Sequence, residues 1–205
     1  TTCRECARET EILYTVWSYN VVCDTCGHEF LLWDHCRHYG QRVRDHKILT
    51  EFPCPICTKV LHKSRLKRTS IQPVLLGYHC CSAGRQETTH PLTKADLAAI
   101  AAIDASPPLQ VGFFPVTEIC DGVNLRQPVK HGFDRIDKFY TSRNLAALSH
   151  LWRAIHRIED GELAAHLAFT FTSLYQRVTR FSEFRFWGGS GNTARFNVPY
   201  ISNEA

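Results

Sequence analysis

Methionine is missing from the 205-residue chain altogether, even from position 1, so the sequence is expected to be a piece of a longer protein. Long apolar runs are missing too. The longest is Leu97–Ile103, far short of the roughly 20 residues a membrane-spanning helix needs. No charged, apolar, small-residue leader opens the chain, which leads to the expectation of a cytoplasmic protein without a membrane partner. Nor does one sign of charge dominate: 24 Lys+Arg stand against 20 Asp+Glu, with 44% hydrophobic and 21% charged residues. That balance excludes disordered, collagen-like and low-complexity classes, and the length allows one ordinary domain or a few small ones.

What the chain does have is cysteine, ten residues in all. Three pairs have Cys-x-x-Cys spacing: Cys3/Cys6, Cys23/Cys26 and Cys54/Cys57. Cys80/Cys81 is contiguous, and Cys36 and Cys120 stand alone. Paired thiols at this spacing point to metal, because a two-residue turn aims both sulfurs at one ion. The first two pairs flank Glu11–Trp17, rich in β-branched and aromatic residues, with Tyr19–Val22 expected to fold back on it. Two such turns joined by a hairpin predict a zinc ribbon with Cys3, Cys6, Cys23 and Cys26 as ligands. A closed site of four thiolates folds a chain rather than catalysing. Gly27, after Cys26, is placed where the turn calls for a positive φ. A second ribbon is expected from Cys54 and Cys57 with Cys80 and Cys81. A regular ribbon would put a ligand at position 83, where Ala83 stands, so His79 is an alternative donor.

Charge is concentrated between Arg37 and Arg68. Arg37, Arg42, Arg44, Lys47, Lys59, Lys63, Arg65, Lys67 and Arg68 face only Asp45 and Glu51 there, a local charge of +7, and the remainder of the chain carries −3. The stretch is a candidate phosphate-contacting face, with a solvated surface as the alternative. His35, His38 and His46 read as surface residues despite their closeness to Cys36.

Beyond Thr93 the pattern turns helical. Thr93-Lys94-Ala95-Asp96 resembles a capping box opening a helix to Ala105, stopped by Ser106-Pro107-Pro108. Thr141 caps a helix with Leu145, Leu148, Trp152, Ile155 and Ile158 on one face, Asp160-Gly161 breaks it, and Leu163, Leu167, Phe171, Leu174 and Val178 mark a second. These are expected to form an antiparallel pair. His150, His156, His166 and Tyr175 read as packing or surface residues. Phe186–Asn192 is a glycine-rich loop before a strand, Ala194–Tyr200, the reverse of the order a nucleotide-cradling loop needs. The predicted class is α+β, in three parts: a ribbon over 1–34, a second, partly degenerate ribbon with a basic face over 35–92, and a helical region over 93–205.

The segments Leu13–Ser18, Cys23–Gly27, Phe30–Asp34 and Phe52–Cys57, then Phe139–Leu145, Phe169–Leu174 and Val198–Ser202, resemble in order the central zinc-ribbon-containing segment of bacterial site-specific DNA methyltransferases of the cytosine-N4/adenine-N6 amino-methyltransferase type. The resemblance implies zinc here and, in the complete enzyme only, S-adenosylmethionine bound by a flanking methyltransferase domain of the same chain. Methyl transfer would go to a base flipped from double-stranded DNA, as in restriction-modification. The donor-binding glycine motif and the Pro-Pro-Tyr/Phe catalytic motif of that family are absent, and Asn197-Val198-Pro199-Tyr200 lacks the first proline. No catalytic or donor-binding residue is therefore carried over. The competing class is a non-enzymatic zinc-ribbon module that binds a protein or RNA.

Overall fold

A computed structural model of the chain describes residues 1–80, 87–105, 114–174, 177–186 and 201–204. The glycine-rich loop beyond Phe186 (187–192), the strand expected at 194–200, Cys81, Ala83, Pro107, Pro108 and Tyr175 lie outside these residues. The described chain is mixed α and β with antiparallel strands, and none of its helices is long and apolar enough to cross a membrane.

Strand β1 is Ile12–Val22. The sequence predicts a turn within it, but the chain runs straight through as one strand. Ser18, the residue at the expected break, is fully buried, and its hydroxyl accepts the Trp33 backbone N–H at 3.1 Å. A polar side chain satisfied inside the strand costs little, so the β-branched and aromatic residues on either side keep the strand going. Then come β2 (Glu29–Leu31), the short helix α1 (Leu32–His35), the two-residue strands β3 (Arg37–His38) and β4 (Lys47–Ile48), β5 (Glu51–Pro53) and β6 (Val60–His62).

β7 is Lys67–His79, and it pairs antiparallel with the whole of β1, from Ile12 opposite Tyr78 to Val22 opposite Lys67, with three register irregularities. β8 (Glu87–Pro91) adds to the far edge of β7. On the other edge of β1, β2 pairs with Asn20–Val22 and a late strand pairs with Thr15–Ser18. Gly77 is required where β7 passes under Tyr14, since a Cβ there would lie 2.3 Å from the ring. The main core combines Val16, Val21, Phe30, Leu32, Trp33, Phe52, Leu61, Leu66 and Phe184.

The division expected at residue 34/35 is therefore crossed by the β1–β7 pairing. The strand assigned to one ribbon and the strand assigned to the other form a single sheet, because each has an edge that only the other can satisfy along its full length.

The remaining helices are α2 (Lys94–Ala105), α3 (Arg126–Lys130), α4 (Ser142–Ile155) and α5 (Gly161–Leu174), and the late strand is β9 (Ile201–Glu204). The Thr93/Asp96 box is made reciprocally: the Asp96 N–H donates to Thr93 Oγ1 at 3.2 Å and the Thr93 N–H to Asp96 Oδ2 at 2.9 Å. Thr141 Oγ1 accepts the Asn144 N–H, and Asp160, at the expected break, caps α5 through the Glu162 and Leu163 N–H groups. α4 and α5 meet through Trp152 and Phe171, 5.2 Å between rings.

Candidate metal centre

Three stretches of the chain fold into the same six-residue turn. At Cys23, its N–H donates to the His28 carbonyl (2.9 Å) and the Gly27 N–H returns to the Cys23 carbonyl (3.0 Å). At Cys54 the partners are Lys59 and Thr58 (2.8 and 3.1 Å), and at Cys3 they are Arg8 and Ala7 (2.9 Å each). The fifth residue has a positive φ in every case: Gly27 +70°, Thr58 +59° and Ala7 +55°. Sequence reasoning anticipates the glycine alone. Thr58 and Ala7 hold a conformation that non-glycine residues avoid, and the hydrogen bonding shared by the three turns is what fixes it there.

Two of these turns face each other. Cys23, Cys26, Cys54 and Cys57 bring their four sulfurs within 4.8 Å of one another. Cys23 Sγ lies 3.8 Å from Cys57 Sγ, and Cys26 Sγ 3.7 Å from Cys54 Sγ. Zinc–sulfur bonds of about 2.3 Å in a tetrahedron require sulfur–sulfur edges of about 3.8 Å, so the donor set fits a zinc ion in size and chemistry. The environment is tuned for thiolates. Backbone N–H groups of Cys26 and Thr25 hold the Cys23 thiol down to about 6. Burial alone would raise Cys54, but the Cys57 and Ile56 N–H groups outweigh it and lower it. The Lys59 N–H favours the Cys57 thiolate, yet burial and three neighbouring sulfurs overcome that and push Cys57 up to about 12. Four sulfurs this close hold a proton among them until a cation replaces it.

This grouping corrects the expected one. Cys23 and Cys26 join Cys54 and Cys57, not Cys3 and Cys6. The reason is length: at about 3.3 Å per residue, an unbroken β1 of 11 residues puts its ends roughly 36 Å apart. Cys3 and Cys6 precede that strand and Cys23 and Cys26 follow it, so the two pairs cannot share an ion. Antiparallel pairing with β7 instead carries the start of β1 to the end of β7. There Cys3 Sγ lies 3.7 Å from Cys80 Sγ, both buried, with Cys6 packed against them and disulfide-bonded. Tyr78, fully buried, accepts the Arg4 N–H at 3.2 Å. Burial raises Cys3, but the Cys6 and Glu5 N–H groups more than offset it, so this thiol too is lowered. His79 is exposed on β7. Cys36 is buried in the main core and pushed up to about 11, chiefly by that burial, while Cys120 is exposed.

The nine basic candidates divide into four groups. Arg37 is a strap: its Nε donates to the Trp33 carbonyl (2.6 Å), it lies over the Trp33 ring, and it pairs with Asp34. Arg42, Lys59 and Lys63 pair with Asp45, Asp24 and Glu183 at 3.2, 3.6 and 3.9 Å, and Arg68 lies over the Tyr19 ring. Arg44, Lys47, Arg65 and Lys67 are exposed with no acidic partner among the described residues. Elsewhere, a cavity of about 360 Å³ between Phe114, α4 and α5 is apolar. Its one carboxylate, Asp137, is tied to Arg135 at 2.6 Å.

No protein-family model, curated protein or solved structure matches the chain.

Proposed function

We propose that the chain is a zinc-folded, DNA-contacting segment of an S-adenosylmethionine-dependent DNA methyltransferase, with Cys23, Cys26, Cys54 and Cys57 as its zinc ligands. One observation carries the zinc: four thiols on twin turns, within 4.8 Å of one another, with two edges of 3.7 and 3.8 Å, the size a zinc tetrahedron needs. The zinc staples the β2 and β5–β6 ends to the sheet and leaves no open position for chemistry. At the opposite end, Cys3 Sγ and Cys80 Sγ lie 3.7 Å apart beside the disulfide-bonded Cys6, and this end is not assigned a metal. The methyltransferase setting rests on the order of sequence segments that resemble that family. DNA contact rests on exposed, acid-free Arg44, Arg65 and Lys67, which would set affinity rather than sequence choice.

Elemental analysis of tag-free protein tests the zinc: a folded, metal-free preparation ends the reading. Fluorescence anisotropy on a labelled duplex across a salt series tests the DNA contact. If three side chains neutralise phosphates, the logarithm of affinity falls against the logarithm of salt with a slope of about −2.7. Replacing Arg44, Arg65 and Lys67 with Ala flattens it, while Lys59→Ala, whose charge is already paired, changes little. Binding indifferent to salt and to the triple substitution overturns the DNA reading. A non-enzymatic module then leads, and the exposed Leu163, Phe169 and Leu174 of α5 favour a protein partner for it.

A further inference from the structure

Beside the basic stretch, a cavity of about 230 Å³ opens between β4 and the segment 183–186, lined by His46, Lys47, Ile48, Lys63, Glu183, Phe184, Arg185 and Phe186. Three cations meet there and a single carboxylate opposes them. Glu183 reaches Lys63 only at 3.9 Å, and among the described residues neither Lys47 nor Arg185 has an acidic partner. Three cations in a concave site against one carboxylate leave an excess of positive charge, so the cavity is electrostatically incomplete.

Its other wall is aromatic. Phe186 stands 5.5 Å from Tyr39, 5.6 Å from His46 and 5.2 Å from Phe184 between ring centroids. Behind them Trp33 packs on Phe184 at 5.5 Å. Tyr39 is 55% exposed, yet its hydroxyl accepts from Arg37 Nη1 at 2.7 Å and its ring lies under the same guanidinium. The rings are thus held in place before any ligand arrives, which lowers the entropy lost on stacking.

We propose that this cavity binds one unpaired nucleotide of a single-stranded or locally opened nucleic acid, its phosphate between Lys47 and Arg185 and its base against Phe186, which Tyr39 adjoins from beside the cavity. A cationic floor alone would suit any anion, and the aromatic wall selects one with a flat π-face. Bases inside a duplex cannot offer that face, so the site reads an extruded or single-stranded residue. The inference rests on the nucleic-acid reading above and narrows it to a place and a ligand class.

The test uses the whole zinc-loaded chain and a fluorescein-labelled oligothymidylate in anisotropy titrations. Lys47→Ala with Arg185→Ala is expected to weaken binding about tenfold and to flatten the salt slope by about 0.7, the one single-strand phosphate that the pair holds. Phe186→Leu, which keeps apolar volume in the core, is expected to weaken binding about tenfold with an unchanged slope, since stacking is uncharged. Zinc content and circular dichroism verify that each variant is folded. Thymidine monophosphate should displace the probe at lower concentration than inorganic phosphate. The proposal is overturned if these variants stay within twofold of the parent or if phosphate competes as well as the nucleotide. It also falls if polyglutamate matches the oligonucleotide, which would assign the cavity to an acidic polypeptide. Duplex binding that still responds to Arg44, Arg65 and Lys67 while the cavity variants do nothing sinks the cavity alone. Binding of neither nucleic acid sinks the broader reading.

Discussion

Replacing Cys54 with Ser separates the two ways of pairing the cysteines. Structural zinc contributes about 10–16 kcal/mol to folding in small zinc domains. Shared over four thiolates, that is roughly 2.5–4 kcal/mol each, or two to three orders of magnitude in zinc affinity. With Cys54 Sγ 3.7 Å from Cys26 Sγ, both sulfurs would address one ion in the proposed site. Removing a second ligand from a site already broken then costs much less than the first removal. Cys23→Ser and Cys54→Ser are therefore expected to be strongly non-additive, and Cys3→Ser and Cys54→Ser to add, because their sulfurs belong to opposite ends of the β1–β7 pair. The assay is competition for zinc against a chromophoric chelator, with cobalt substitution reporting thiolate count. Coupling of Cys23 to Cys3, with additivity between Cys23 and Cys54, would refute the nested arrangement and restore the sequential one.

Gly77→Ala forces a methyl group into the Tyr14 ring at 2.3 Å, so urea denaturation should show a loss of about 1–3 kcal/mol. Thr58→Gly removes a left-handed penalty at φ +59°. Net of glycine's own entropy cost, it should stabilise by up to about 1 kcal/mol in thermal melts without altering zinc affinity. Cys36 should resist iodoacetamide in native protein while the exposed Cys120 reacts. The Cys36 thiol ionises near 9 when unfolded and near 11 when folded. Its contribution to stability is thus present below pH 9 and lost as the pH rises from 9 towards 11, which denaturation at pH 8 and 10.5 measures.

Local signals were legible and the pairing between distant segments was not. Cys-x-x-Cys turns, the Thr93 and Thr141 caps and the helices of 93–174 are encoded within a few residues, where hydrogen bonding and periodicity act. The grouping of thiols depends instead on whether the chain turns back near Ser18. The straight strand goes with pairing to β7 along its length and with a buried hydrogen bond from the Trp33 N–H to Ser18, neither of which a spacing rule contains. With a turn at Ser18, Cys3 and Cys23 would meet, and a straight strand sends each to a different end. Thr58 and Ala7 were missed for a related reason: the left-handed position is imposed by the turn's two hydrogen bonds and leaves no glycine in the sequence to mark it.

The same distinction governs the charge. Counted along the chain, Arg37–Arg68 carries +7, but three of the carboxylates that neutralise it, Asp24, Asp34 and Glu183, come from outside that window. Folding draws them in because a cation near low-dielectric protein is stabilised most by the acid that can reach it. Four of nine cations are consumed in this way and Arg68 is laid on Tyr19. A linear count therefore overstates the unpaired cationic surface on which the proposed phosphate contacts rest. What survives is small and specific in place: Arg44, Arg65 and Lys67 on the surface, and Lys47 at the mouth of a cavity that also recruits Arg185 and Phe186 from far along the chain.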